Sequence, residues 1–336
     1  MTRRSIPLSL MKTVAVSLII AATHKAVAQS GDTFLPLPAQ AQPRELPKEG
    51  YILQRAGNSG YVVSAGFVQA SFVVTPAGVV VIDAPPALAN QLPAAIKSVT
   101  DKPVTHVILT HDHFDHIGAV TIFHGAKLIA HAATADLLKR FPDPKRPIPS
   151  ITFAGDSYAL KVGGIEFKLI YPGPNHETGN IIVYVPEDRL AILTDIVIPG
   201  WAPFRGWGNA DHIPGLFKAF DQLLTLDFDT FVGGHMYRTG TRADVENSRD
   251  YLVDLYNDTK TTMATIAFQP TAYSGNVWAA QKVWFDQVAD QVTPRLIAKW
   301  KDKLAGVDTF THDNVIATII SLTTDASVIP DHDLLK

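Results

Sequence analysis

Short apolar runs rich in β-branched residues recur from residue 51 onward, and after residue 242 they give way to long stretches of helical spacing. In the first region, residues 61–63, 67–75 and 79–82 read as strands, the last two joined by the turn Pro76-Ala77-Gly78. A helix is expected over 86–98, with proline in its first turn, then a strand over 104–109 and a further helix after Gly118. A strand over 127–130, a helix over 133–139 and a proline-rich loop over 141–149 follow. A second run of strands covers 158–162, 165–171, 180–185 and 190–194, paired through Gly163-Gly164 and Pro186-Glu187-Asp188. Residues 212–224 then predict a helix, and 230–232 a strand running into Gly233-Gly234-His235.

Two β-rich halves, each with helices, predict an α/β protein whose sheets pack face to face with helices outside. Helical spacing over 243–267, 274–304 and 313–323 adds a C-terminal α-helical extension, read as a covering layer or a contact between copies in a homo-oligomer. The expected organisation is a leader over 1–28, a proline-rich arm over 29–48, a catalytic domain over 49–240 and the helical extension over 241–336. The arm is expected to be extended, because Pro36, Pro38, Pro43 and Pro47 stand among small and polar residues.

Composition sharpens this outline at three points. With 46% hydrophobic and 18% charged residues in 336, the chain can bury a sizeable core. Arg3, Arg4 and Lys12 precede an apolar run over 14–22, and Ala26-Val27-Ala28 offers the small residues of a cleavage site, so a signal peptide cut after Ala28 is expected. That run is far short of the roughly 20 residues a membrane span needs, so the product is expected in the periplasm or outside the cell. Its loss leaves 25 basic against 32 acidic residues, a charge of −7, which disfavours a nucleic-acid partner. The chain has no cysteine, so any metal must be held by nitrogen and oxygen.

The chemistry concentrates in Thr110-His111-Asp112-His113-Phe114-Asp115-His116, directly after an apolar strand. Four ligand-type side chains lie within six residues, and a strand end followed by a turn can aim His111 and His113 to one metal while Asp115 and His116 swing to a second. A cluster of imidazoles packed without a metal would leave nitrogens unsatisfied.

With His176 in Gly173-Pro174-Asn175-His176-Glu177-Thr178-Gly179-Asn180, Asp195 closing a strand and His235 after two glycines, residues 51–237 resemble the metallo-β-lactamase-fold hydrolases. The resemblance implies an αβ/βα sandwich with two divalent ions, zinc by preference, at the edge between the sheets. It implies one ion on His111, His113 and His176, the other on Asp115, His116 and His235, with Asp195 bridging. Asp83 matches an aspartate that orients ligands in the family, and Thr110 and Asn180 are further candidates for that task.

Two ions sharing an oxygen would generate a hydroxide near neutral pH, oriented by Asp115, to attack a carbonyl polarised by the ion that His111 and His113 hold. Within the family, an aspartate at position 195 is similar to lactonases, thioesterases and phosphodiesterases more than to zinc β-lactamases, which commonly carry cysteine or serine near there. The expected substrate is therefore a small-molecule lactone or other carboxylic ester, with β-lactam hydrolysis as the alternative. A mono-iron oxygenase such as a persulfide dioxygenase, or a zinc-binding protein without turnover, would be a different class. His113, where flavin-partnered diiron members carry glutamate, argues against redox use. The aromatic, glycine-rich segment 199–212 reads as a pocket wall or as a loop pinned to the core; Trp201, Phe204, Trp207 and His212 are its candidate contacts, with Arg205 as a polar anchor. Tyr237 and Tyr171 are candidate hydrogen-bond donors to a developing oxyanion.

Overall fold

The computed structural model describes residues 33–325; the leader expected over 1–28 lies outside them. The N-terminal half contains strands β1 (Ile52–Ala56), β2 (Gly60–Ala65), β3 (Val68–Thr75) and β4 (Gly78–Ile82), then helix α1 (Gln91–Val99) and strand β5 (Val104–Ile108). It continues with the single turn α2 (Phe114–Ile117), β6 (Lys127–His131), α3 (Ala132–Arg140) and β7 (Ile151–Phe153). The next stretch holds β8 (Ser157–Val162), β9 (Ile165–Ile170), β10 (Ile182–Val185), β11 (Leu190–Ile192), the short turn α4 (Arg205–Asn209), α5 (Ile213–Leu224) and β12 (Thr230–Val232). Helices α6 (Arg242–Thr265), α7 (Val277–Trp300) and α8 (Val307–Thr324) complete it.

These strands form two sheets, one of seven strands in the order β1 to β7 and one of five in the order β12-β11-β10-β9-β8. Because successive strand residues face opposite ways, each central strand supplies two cores. In β4, Val80 and Ile82 join the layer between the sheets with Phe167, Leu169 and Val183, while Val79 and Val81 face outward against Leu88, Leu92 and Ile96. In β10, Val183 and Val185 face the first sheet, and Ile182 and Tyr184 face a third apolar cluster that holds Phe217, Phe220, Leu252, Val292 and Val315 of α5 to α8. The result is helix, sheet, sheet, helix, the αβ/βα sandwich. Helices α6 to α8 lie in its outer layer and share one continuous core with β10 and α5.

Several expectations are corrected. The helix expected over 86–98 is a 3₁₀ turn, Pro86–Leu88, followed by α1, since Pro93 in the first turn of α1 has no N–H to give to an earlier start. The helix expected after Gly118 is replaced by α2, which ends there, and a 3₁₀ turn at Val120–Ile122. Two edge strands, β1 and β7, had too little alternation to be read. Helix α8 begins six residues before the expected start at Asp313, on Gly306, whose φ of 72° suits glycine at the turn into the helix. The proline-rich arm is extended but pinned: Leu35 donates to Asp308, and Arg238 donates from Nε to the Gln40 carbonyl at 2.8 Å. Among the described residues no helix is long and apolar enough to cross a membrane.

Candidate metal centre

The loops at one edge of both sheets converge on seven side chains. Strand β5 delivers Leu109, Thr110 and His111, with His111 fully buried. The chain bends over residues 110–112, His113 is extended (φ −62°, ψ 138°), and α2 then carries Asp115 and His116. His176 lies on the β9–β10 loop, where its N–H donates to Asn175 Oδ1 at 2.7 Å. Asp195 follows β11 with φ 71°, its N–H held by the Gly233 carbonyl at 3.0 Å. Gly234, with φ 85°, packs so closely that a Cβ there would lie 2.5 Å from Thr194 and 3.1 Å from the His116 ring, so glycine is needed to bring His235 in.

Asp195 organises the centre. Its Oδ2 lies 3.3 Å from His111 Nε2, 3.0 Å from His176 Nε2 and 3.9 Å from His113 Nδ1. Its Oδ1 lies 3.1 Å from His116 Nε2 and 2.9 Å from His235 Nε2. Asp115 Oδ2 closes the second group at 3.5 Å from His116 and 3.8 Å from His235. Two groups could therefore each hold an ion, His111, His113, His176 and Asp195 in one and Asp115, His116 and His235 in the other. Neighbouring ligands on a tetrahedral zinc, with bonds near 2.0–2.1 Å, stand about 3.3 Å apart, which is the spacing observed. His111 Nε2 and Asp195 Oδ1 are buried without a hydrogen-bond partner, the condition that a cation would relieve. The donor set, imidazole and carboxylate without thiolate, suits a borderline divalent ion.

Electrostatics point the same way. Burial drives the His111 imidazole well below its usual pKa, leaving it neutral with a lone pair to give. Burial opposes ionisation of Asp195, but the His116 charge and the His111 and His113 imidazoles facing it hold its carboxyl well below the usual range. Burial would likewise depress His116, but Asp195 outweighs it and pushes that imidazole up to about 9 when no cation is near.

Neighbouring residues orient the ligands. Asp83, itself at φ 59°, accepts from the Thr110 N–H at 2.9 Å and from the Thr110 hydroxyl at 2.7 Å. That hydroxyl lies 3.0 Å from His111 Nδ1, so it accepts the Nδ1 proton and leaves Nε2 free. Burial raises Asp83 to about 6 despite the opposing pull of His116. His235 Nδ1 donates to the Phe67 carbonyl at 2.7 Å, with the same effect on its Nε2. Asn180 donates to Asn175 Oδ1 at 3.1 Å and to the Thr194 carbonyl at 3.0 Å, tying the His176 loop to the strand before Asp195. Asn175, Phe67 and Arg146 went unread in the sequence. Arg146 holds the Asp112 carbonyl at 2.7 Å from the proline-rich loop, and nothing in its local sequence signals that long-range contact.

A cavity of about 380 Å³ opens over the centre. Trp201 and Phe204 line it, joined by Phe67, Ile198, Met236 and Phe310. Three expected contacts are corrected. Trp207 is only 1% exposed and points into the core, donating from its backbone N to Asn314 Oδ1 at 2.9 Å and from Nε1 to Thr318 Oγ1 at 2.9 Å. His212 caps α5, its Nδ1 accepting from the Gly215 N–H, and Tyr237 does not line the cavity. Arg205 is engaged by Asp313, and the Tyr171 hydroxyl donates to the Thr178 carbonyl at 2.8 Å, so neither acts in the cavity.

Residues 63–235 match the family model "Metallo-beta-lactamase superfamily". The chain is 32% identical over 191 residues to 2,4-dinitroanisole O-demethylase subunit alpha of Nocardioides sp. (strain JS1661), covering 54% of this chain and 56% of that protein. It is 32% identical over 140 residues to metallo-beta-lactamase type 2 of Elizabethkingia meningoseptica, covering 39% and 53%. The aligned part thus spans about half the length of these curated relatives. A solved metallo-beta-lactamase from Pontibacter korlensis superposes with a TM-score of 0.51 at 20% identity, over 58% of this chain and 95% of its own, a likeness of fold. From the family match, the two-sheet fold and the His/Asp cluster at the sheet edge, the chain belongs to the metallo-beta-lactamase superfamily.

Proposed function

We propose that this protein is a dinuclear zinc hydrolase of small molecules, acting on the carbonyl of a lactone or other carboxylic ester, with Asp195 bridging the two ions. The observation that carries the reading is the division of the two Asp195 oxygens between the two groups of imidazoles. His111, His113 and His176 would hold one ion, and Asp115, His116 and His235 the other. Two such cations would supply Lewis acidity toward a carbonyl oxygen and a water acidified to near neutrality. The chain supplies the rest. Asp115, whose side chain is 57% exposed at the cavity, accepts and orients a proton; Thr110 and Asp83 keep the His111 tautomer; the apolar wall excludes water from the reacting carbonyl. The expected leader over 1–28 supports action in the periplasm or outside the cell.

Lactam hydrolysis by the same centre is the second reading, favoured by similar proteins named metallo-beta-lactamase. Elemental analysis of purified protein, with turnover of a lactone, an aryl ester, a thioester, a cephalosporin and 2,4-dinitroanisole, separates the readings. The expected result is close to two zinc per chain and highest kcat/KM on lactone or ester, with His113→Ala losing metal and nearly all turnover. One iron per chain with oxygen consumption would overturn the hydrolase reading; cephalosporin turnover above every ester would install the second.

A further inference from the structure

Beyond its ligands, the cavity over the centre is lined by apolar and aromatic residues, with Asn209 as the polar exception. Trp201 and Phe204 come from the segment after β11, Phe310 from the first turns of α8, and Phe67, 69% exposed, from the β2–β3 turn beside His235. The Phe204 and Phe310 rings meet edge to face, centroids 4.9 Å apart and planes at 66°. The wall is fixed rather than loose. Ala202 donates to the Ala305 carbonyl and Ala305 to the Gly200 carbonyl, both at 2.9 Å, which binds the Trp201 segment to the chain entering α8.

Among the described residues that line this cavity, none is lysine or arginine. Cations nearby are engaged elsewhere: Arg205 with Asp313 at 2.7 Å and Arg238 with Asp244 at 2.6 Å. A substrate with an anionic group on its ring, held away from the ions, would have to strip its water against aromatic side chains with no lysine or arginine to meet it, whereas a neutral ring meets surface that gains from covering.

From this we infer that the site selects uncharged substrates carrying an aromatic ring, and that Phe310, supplied by the C-terminal helices, is a specificity-determining residue that holds the ring with Phe204 and Trp201. This rests on the hydrolase reading, and it names the substrate class for the same centre.

The test uses the zinc-loaded full chain with phenyl acetate, 4-carboxyphenyl acetate and vinyl acetate, three activated acetates that differ in ring and charge. Phenyl acetate is expected to exceed its carboxylated analogue in kcat/KM by about tenfold or more. Phe310→Ala should raise KM for phenyl acetate about three- to tenfold with kcat within twofold, and leave KM for vinyl acetate unchanged, the size expected of one aromatic contact. Phe310→Lys should narrow the preference against the carboxylated ester. Equal turnover of the neutral and carboxylated esters, or equal effects of Phe310→Ala on phenyl and vinyl acetate, would overturn the inference. If none of the three acetates is turned over, the hydrolase reading rests on the wider panel of lactone, aryl ester, thioester and cephalosporin, and fluorescence titration with 2-methoxynaphthalene and its 6-sulfonate judges the wall alone. Tighter binding of the neutral probe by about tenfold, weakened in Phe310→Ala, supports it; no binding, or equal binding of both probes, sinks it.

Discussion

The metal centre and the aromatic wall lie against each other but are built in opposite ways. Four of the seven candidate ligands come from one six-residue stretch, His111 to His116, aimed by the end of a single strand and one helical turn. The wall is assembled from the β2–β3 turn, the segment after β11 and a helix about a hundred residues further on. The local device is organised around one carboxylate, and the distributed one depends on tertiary packing to exist at all. Trp207 shows the difference. It stands in the expected wall segment, yet Gly206, Trp207, Gly208 and Asn209 all take positive φ, and this left-handed turn buries the indole against α8. Asn314, fully buried on α8, accepts the Trp207 N–H and donates to the Pro203 carbonyl, and so holds a conformation that local preference opposes.

The comparison can be broken first at its centre. Asp195→Asn removes the charge facing both groups; loss of both metals by elemental analysis and a fall in kcat/KM on the order of 10³-fold are expected. Retention of two ions with near-normal turnover would end the bridging role. Next in size is Trp207→Ala. A buried indole with two hydrogen bonds into α8 should cost about 3–5 kcal/mol of unfolding free energy by denaturant titration. A variant that kept its stability and showed only a higher KM would return Trp207 to the substrate side of the wall. Smallest is Asp83→Asn, which weakens the hold on Thr110 and the His111 tautomer without touching a ligand. About 10- to 100-fold in metal affinity or activity is expected, read by competition with a chelator. No change would mean that Asp83 serves only to shape the turn after β4.

The legibility of each part follows from how far apart its contacts lie. Strands β2 to β6 and β8 to β12 were readable as short apolar, β-branched runs bounded by turn residues; β8 and β9 alternate, whereas β3, β4, β10 and β11 are buried on both faces. Strands β1 and β7 were not, since Gln54 and Arg55 interrupt the apolar run of β1 and β7 is only three residues long. The start of α8 was missed together with Phe310 because Val307 and Phe310 are the only apolar residues between Gly306 and Asn314, too few to show a helical stripe. Asp83, Thr110 and Asn180 were readable as candidates for orienting the ligands, whereas Asn175 and Asn314 were not, because an asparagine declares its role only through the groups that tertiary packing brings to it.

What the sequence determined by itself was the spacing of ligand-type side chains on a strand end, the absence of thiolates and the short β-branched runs that build two sheets. Those are properties of neighbours along the chain, set by backbone geometry. Tertiary structure alone decided that the two Asp195 oxygens face different groups of imidazoles, that Trp207 turns inward and that Phe310 reaches the cavity. Each depends on the relative placement of elements whose contacts are won by burial across the whole core rather than by any local preference.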